Sequence, residues 1–405
     1  MRVLYVHQHF STPSGAVGTR SYEMARRLVA RGHSVLMVCG SFARQCTGLT
    51  APYMNGVRRG TVDGIEVIEY ELRYSNHDGF VERAMKFVRF SLWAIGVAAR
   101  ERYDVLFATS TPLTAGLPGI FARSIRHKPF VFEVRDLWPA LPRAMGVITN
   151  PLALGAMSLL EWVSYRSAQR LIGLAPGIVD GIANRGVDRV RIEMIPNGCD
   201  LDLFSAVTTA VRPAGTAPGD LVAVFAGAHG IANGLDAVLD AAIELKRRGR
   251  GDIKIVLIGE GKLKPRLVER ARAVGLTNVI FLDSVKKTEL AGLLAGCDLG
   301  LQILDNVPAF YHGTSPNKFF DYIAIGLPVL INYPGWLADI VRERNIGYTV
   351  QPSDAEAFAD ALIHAADHRA GLPAMGERAR MVAQVEFPRD LLADRFVLWL
   401  EGAAE

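Results

Sequence analysis

Short β-branched runs alternate with helical patterns from one end of the chain to the other, the signature of α/β architecture with parallel sheets. In the first half, apolar runs predict strands at Val3–His7, Val35–Cys39, Ile65–Tyr70, Val105–Thr109, Phe130–Val134, Leu171–Leu174 and Ile192–Ile195. Most are nearly continuous, as expected of strands covered by helices on both faces. The first helix is predicted from about Arg20 to Ala30, with Met24, Ala25, Leu28 and Val29 on one face. Arg26, Arg27 and Arg31 lie near its C-terminus, and Gly32 follows as a stop.

After Ile195 comes Pro196-Asn197-Gly198-Cys199-Asp200, then a Pro/Ala/Gly/Thr-rich stretch from Thr208 to Gly219, the clearest shift in composition. A second series of strands follows at Leu221–Ala226, Ile253–Ile258, Val279–Leu282, Leu299–Ile303, Val329–Asn332 and Tyr348–Val350, with a last helix near Arg389 to Leu400. The chain is read as a domain over 1–200, a linker over 201–219, a second domain over 220–385 and a C-terminal helix over 386–405 that packs back toward the first domain. In each half the first strand leads into a glycine-bearing turn, Gly15-Ala16-Val17-Gly18 and Gly227-Ala228-His229-Gly230. Two doubly wound, Rossmann-like domains facing across a cleft are expected, with a ligand at the carboxyl ends of the strands.

Composition narrows the class. A length of 405 residues suits two domains, and half the residues are hydrophobic, which excludes disorder, collagen and a disulfide-stapled miniature fold. The net charge of +4 gives no reason to expect a nucleic-acid partner. Four scattered cysteines with no CxxC pair read as reduced thiols of a cytosolic protein, and the opening residues enter a strand without a signal-peptide core. The longest apolar run, Phe90 to Ala99, is too short to span a bilayer. The segment from Arg83 to Arg102 nevertheless mixes five basic residues and one acid with many apolar ones. It reads either as a face for peripheral contact with anionic membrane or as a buried helix with solvated ends.

Three segments carry candidate chemistry. In His7-Gln8-His9-Phe10 … Gly15-Ala16-Val17-Gly18-Thr19-Arg20, glycines between a strand and a helix let backbone N–H groups approach an anion or a polar sugar. A simple βα turn accounts for the same pattern, and Arg20 meets either a phosphate or a neighbouring acid. In Phe132-Glu133-Val134-Arg135-Asp136-Leu137-Trp138-Pro139, a buried strand delivers three charges in four positions, which must pair with one another or emerge at the cleft. The richest segment is Tyr311-His312-Gly313-Thr314-Ser315-Pro316-Asn317-Lys318-Phe319-Phe320-Asp321, running on to Gly326-Leu327-Pro328-Val329. Pro316 suits the first helical position with Ser315 as cap, and a helix start with a lysine in its first turn can hold a diphosphate. Asp321, three residues on, shares a face with Lys318 and can accept hydrogen bonds from ribose hydroxyls. Asp200-Leu201-Asp202 matches a metal-binding DxD pattern by chance at the start of the linker. Gly259-Glu260-Gly261 is a glycine turn that fits a nucleotide or a plain connection. No spacing typical of a zinc site and no P-loop is present, and no cofactor is expected.

Together these segments resemble glycosyltransferase family 4, the retaining sugar transferases of GT-B fold, over nearly the whole chain. The Gly-rich first loop, Ile195-Pro196-Asn197-Gly198, the Gly227–Gly234 loop and the Ser315-Pro316-Asn317-Lys318 … Asp321 … Gly326-Leu327-Pro328-Val329 block carry the likeness. Within the family the chain looks most like the bacterial polysaccharide branch that includes the fucosamine transferase of O-antigen synthesis. That branch shares the Tyr-x-His-Gln opening, Gly18-Thr19-Arg20 and Val134-Arg135-Asp136-Leu137-Trp138-Pro139. The resemblance implies a nucleotide-sugar donor, a UDP-sugar, on the second domain. It implies a saccharide or lipid-linked acceptor on the first, with retention at the anomeric carbon and no metal.

On that basis Lys318, Arg135 and Asp136 are the candidate catalytic residues. Gly15, Gly18, Arg20, Gly227, His229, Gly230, Asn233, Gly261, Ser315, Pro316, Asn317, Lys318 and Asp321 are the donor-binding candidates, and His7, Gln8 and Trp138 the acceptor-binding ones. Asp321 falls on the second acid of the family's Glu-x7-Glu motif, whereas the first falls on Gly313. The loop after the first strand of the second domain lacks the Arg and Lys of many relatives and offers His229 as its only possible cation. Arg135-Asp136 stands where relatives often have His-Asp. A nucleotide-sugar 2-epimerase of the same fold, an inverting transferase and a non-catalytic nucleotide-sugar-binding subunit remain alternatives.

Overall fold

The computed structural model describes residues 1–15, 18–42, 45–74, 79–207 and 209–405, with backbone only at 73, 74 and 80. They divide into two compact units. The first comprises Met1–Pro196, Gly313–Ser315 and Asp390–Glu405, and the second comprises Asn197–His312 and Pro316–Arg389.

The first unit is built on strands β1 (Arg2–Val6), β2 (Ser34–Phe42), β3 (Val57–Val62), β4 (Ile65–Tyr74), β5 (Val105–Thr109), β6 (Phe130–Val134), β7 (Arg170–Gly173) and β8 (Ile192–Met194). They form one sheet in the order β3-β4-β2-β1-β5-β6-β7-β8. All neighbours are parallel except β3 and β4. Its helices are α1 (Arg20–Ala30), α2 (Phe80–Arg100), α3 (Gly116–Ser124), α4 (Ala140–Ala144), α5 (Pro151–Ser167) and α6 (Pro176–Asn184). On one side of the sheet α3 packs between α2 and α5. On the other, α1 puts Met24, Ala25 and Leu28 into the core.

Strand β3 is absent from the apolar pattern because it is an edge strand reading Val-Arg-Arg-Gly-Thr-Val, with its charges outward. A hairpin signal does precede β4: Asp63 and Gly64 both have positive φ, 50° and 80°, and close a two-residue loop between paired Val62 and Ile65.

The second unit begins with α7 (Leu201–Ser205), inside the stretch read as a linker, so the chain is already folded where composition suggests a break. Strands β9 (Leu221–Ala226), β10 (Ile253–Ile258), β11 (Val279–Leu282), β12 (Leu299–Gln302), β13 (Val329–Ile331) and β14 (Gly347–Thr349) form an all-parallel sheet, ordered β11-β10-β9-β12-β13-β14. Around it lie α8 (Asp236–Arg247), α9 (Lys264–Ala273), α10 (Lys287–Ala295), α11 (Asn317–Ile325), α12 (Trp336–Glu343), α13 (Ala355–Asp367) and α14 (Leu372–Glu386). Five residues of β9 and four of β10 are fully buried, since both strands are covered on two faces. The last helix, α15 (Arg389–Ala404), belongs to the first unit from Asp390 onward. Its Phe396 ring lies 6.3 Å from Tyr5 and 4.9 Å, edge to face, from Phe107, while Asp394 accepts from Arg27 and Arg31 of α1 and the loop after it.

In both sheets the strand order reverses direction beside the first strand, between β1 and β5 and between β9 and β12. Open α/β sheets bind ligands in the crevice at the carboxyl ends of the strands beside such a reversal.

Candidate functional site

In the second unit, the crevice position is occupied by the loop after β9 and the start of α11. Lys318, in the first turn of α11, donates from Nζ to Asn233 Oδ1 at 2.7 Å, and the same amine sits 4.3 Å from the centre of the Phe225 ring. Gly227 makes room for it, because a Cβ there would stand 3.1 Å from Lys318 Cε. No carboxylate of the described residues pairs with this amine, and burial pushes its pKa down to about 7. Asn233 is itself anchored by donating to the Ala228 carbonyl at 2.8 Å.

His229 is fully buried beside Lys318, with neither ring nitrogen hydrogen-bonded within the described residues. Burial, then the charges of Lys264 and Lys318, lower its pKa to about 4. His229 is therefore a neutral ring at physiological pH, which removes the one possible cation the sequence offered in this loop. Its backbone N–H donates to Glu260 O at 2.8 Å, and its carbonyl accepts from Leu263 at 3.0 Å, which joins the loops after β9 and β10. Gly259 and Gly261 allow that contact: a Cβ would come within 1.9 Å of Gly227 O and 2.4 Å of His229 O respectively. Gly261 thus has a packing reason to be glycine. At Gly230 a Cβ would meet nothing within 4 Å.

Helix α11 starts one residue later than expected. Pro316 has extended backbone, φ −75° and ψ 132°, and occupies the cap position, and Asn317 is the first helical residue. Proline's fixed φ suits either place, and the turn into α-geometry comes after it, so Ser315 is not the cap.

Asp321 lies on α11 but does not pair with Lys318. Lys287 Nζ is 3.2 Å from its Oδ1, and Lys287 also bonds Asp200, which in turn binds Arg389. Burial raises the Asp321 pKa, with Lys287 offsetting only part of the effect. Burial acts the same way on Asp200, but Arg389 and Lys287 together outweigh it and hold that carboxyl below its ordinary value. The DxD segment dismissed as a chance match therefore supplies the central acid of a buried network. Lys287 and Arg389 were invisible to sequence reasoning, since 87 and 189 residues separate them from Asp200.

In the first unit Arg20 turns inward. It is 1 % exposed and donates through Nε and one terminal nitrogen to the same oxygen of Glu133, at 3.0 and 2.8 Å, and to the carbonyls of Ile195 and Pro196 at 2.8 and 2.6 Å. Thr109 Oγ1 donates to the other Glu133 oxygen at 2.8 Å. Burial pushes the Glu133 carboxyl up, but Arg20's charge and hydrogen bonds outweigh that and hold it low. Arg20 is thus committed to a buried ion pair and not to a donor phosphate. The acid it meets is the first of the three charges on β6.

The other two charges lie beyond the strand. Arg135 and Asp136 are half-buried, and the Arg135 guanidinium takes no ion pair or hydrogen bond from the described residues. Asp136 accepts from Thr111 Oγ1 at 3.4 Å, and burial raises its pKa against the pull of Arg135. His7 and Gln8 follow β1, and Trp138 follows β6. The two nitrogens of His7, both amide atoms of Gln8 and Trp138 Nε1 are buried without a hydrogen-bond partner among the described residues. Such a group of buried polar atoms without partners is unusual in a folded protein. Burial first, then Arg135 and His9, push the His7 pKa well below its ordinary value. Gly15 donates to Thr12 O at 3.1 Å and Gly18 lies exposed before α1, while Ala16 and Val17 lie outside the described residues.

Comparison with known proteins gives this geometry its context. Residues 15–198 match the model of a glycosyl transferase 4-like domain, and residues 220–368 match that of glycosyl transferases group 1. A D-inositol 3-phosphate glycosyltransferase from Nocardia farcinica is 32% identical over 208 residues, covering 48% of this chain and 44% of that protein. Its counterpart from Rhodococcus erythropolis is 27% identical over 343 residues, 74% of each. Among solved structures, sucrose-phosphate synthase from Thermosynechococcus elongatus superposes with a TM-score of 0.75 at 18% identity, covering 99% of this chain and 98% of that one. HepE of Anabaena in complex with UDP gives 0.68 at 16%, covering 99% and 100%. With a glycosyl transferase 4-like domain followed by a group 1 domain, and two α/β units with parallel sheets, the chain belongs among the glycosyltransferases of GT-B type.

Proposed function

We propose that this glycosyltransferase moves a sugar from a UDP-sugar to a saccharide or lipid-linked saccharide acceptor in bacterial surface polysaccharide synthesis, with retention at the anomeric carbon and without a metal. One observation carries the reading: the buried amine of Lys318 has an amide and an aromatic face for company and, among the described residues, no carboxylate. An unpaired buried cation is costly to keep, and a diphosphate is the anion that repays it. The UDP-bound neighbour of the same fold favours a uridine nucleotide.

Breaking the sugar–phosphate bond puts negative charge on the leaving diphosphate and positive charge on the sugar ring. Lys318, the first N–H groups of α11 and the N–H groups of the loop after β9 meet the first charge. The acceptor hydroxyl, held by groups such as His7, Gln8 and Trp138, attacks on the face the phosphate leaves and gives its proton to that phosphate. Asp321 reaches a ribose hydroxyl from beside Lys287, whose charge offsets part of the effect of burial on its carboxyl. Arg135 and Asp136 complete the polar wall on the first unit.

The amine sets a pH dependence. Below pH 7 Lys318 is already charged and donor binding needs no proton. Above pH 7 the free protein holds it neutral, so binding must take up a proton and affinity falls about tenfold per pH unit. Titration calorimetry with a UDP-sugar, whose diphosphate charge is constant over this range, reads the slope directly. An affinity level from pH 6 to 9 would overturn the assignment. Turnover in excess EDTA is expected to match turnover without it, and loss of activity restored by a divalent cation would end the metal-free account. NMR of the product's anomeric proton separates retention from inversion.

A further inference from the structure

Helix α2 is apolar on two opposite sides. Phe90, Ala94, Val97 and Ala98 are buried in the first unit. Val81, Met85, Val88 and Leu92, spaced by four, three and four residues, point the other way and are 45 to 67 % exposed. Helix α5 repeats the arrangement, with Ser164 and Tyr165 buried and Leu152, Leu159 and Trp162 exposed. Scattered surface hydrophobics are ordinary, but exposed stripes on two helices that both pack against α3 are not scattered.

The charges around the stripes are mainly basic. Helices α2, α3 and α5 carry Arg83, Lys86, Arg89, Arg100, Arg123 and Arg166, against Glu82 and Glu161. Glu161 is buried and bound to Arg185, and Glu82 is neutralised by Lys86 at 2.8 Å. Arg89 lies over the Trp93 ring at 4.3 Å and Arg166 over Trp162 at 5.3 Å. Their stems cover apolar surface while their heads stay at its rim. A protein partner needs complementary shape and mixed polarity. A lipid headgroup layer needs only exposed apolar side chains, an aromatic at the boundary and a basic rim. None of the described helices is long and apolar enough to cross a membrane.

We infer that the α2–α5 face of the first unit docks on an anionic lipid surface, with Val81, Met85, Val88, Leu92, Leu152 and Leu159 dipping among the headgroups and the arginines held at the phosphates. This rests on the exposed stripes and their charges, independently of the sugar-transfer reading.

Flotation of the full chain with vesicles tests it. Mixed phosphatidylcholine–phosphatidylglycerol vesicles should retain about tenfold more protein than pure phosphatidylcholine, and high salt should remove most of the difference. Met85→Gln with Leu92→Gln, or Leu152→Gln with Leu159→Gln, should each cut partition several-fold. Both variants should keep the wild-type rise in melting temperature with a UDP-sugar, which shows that the fold and the donor site are intact. Equal partition onto both vesicles, or none, overturns the inference. Lipid-free self-association abolished by the same glutamines would assign the face to a second copy of the chain and overturn it equally.

Discussion

A Lys318→Met protein is expected to lose transfer by a factor of about 10² to 10³ while melting at a higher temperature than the wild type. In the proposed mechanism the rate falls because the amine meets charge developing on the diphosphate, and removing one such donor has an effect of that size. Stability rises because the native state holds an ammonium where burial lowers its pKa from 10.5 to about 7. A lysine with a depressed folded pKa destabilises the native state fully at pH below that value, and the penalty fades as pH climbs toward 10.5. At pH 6 the penalty is a few kcal/mol, reduced by what the Phe225 ring and Asn233 return. Methionine fills the same space without it. The gain should therefore be large at pH 6 and shrink by pH 9, which thermal scans at the two pH values measure. Wild-type turnover in the variant would remove the core of the proposed mechanism. A drop in stability at pH 6 would show that the amine is better solvated than its surroundings imply.

Arg20→Met is expected to destabilise the first unit by about 3–5 kcal/mol, the usual consequence of leaving one member of a buried pair behind. Glu133 has no exposure at all, and Thr109 alone cannot hold its charge. The variant's carboxyl pKa must then move above its ordinary value. Its native state binds a proton that the unfolded chain releases, so the deficit grows as pH rises above about 4.5 and is smaller at pH 5 than at pH 8. Adding Glu133→Leu should restore a large part of the loss, since replacing both members of a buried pair by apolar groups is often near neutral. Urea unfolding of the single and double variants at pH 5 and pH 8 supplies the comparison. An unaltered midpoint for Arg20→Met would mean the pair is held together by its surroundings and contributes nothing of its own.

These two residues show what could and could not be seen in the sequence. Periodicity placed nearly every strand, because α/β strands are apolar runs flanked by turn residues, and local pattern is enough to find them. It missed β3, whose outward charges break the run, although Asp63-Gly64 beside it carried the hairpin signal. Lys318 was legible because the proline, asparagine and lysine that open α11 are neighbours in the chain. Arg20 was misassigned because its partner Glu133 lies 113 residues away. Whether an arginine meets a ligand or a buried acid is decided by that distant register. The network of Asp200, Lys287 and Arg389 escaped for the same reason, and the neutral state of His229 follows from burial, which no motif encodes.

The aromatic packing of Phe396 against Tyr5 and Phe107 carries a consequence for biosynthesis. The opening strand of the chain receives this packing partner only when Asp390–Glu405 has been translated, after every residue of the second unit. At roughly 5–20 residues per second, the ribosome leaves the earlier half unfinished for on the order of ten seconds or more while the later half emerges. Nascent chains stalled short of Asp390 should therefore expose the Tyr5–Phe107 surface to chaperones, and clipping the tail should wound the half of the molecule most remote from it in sequence.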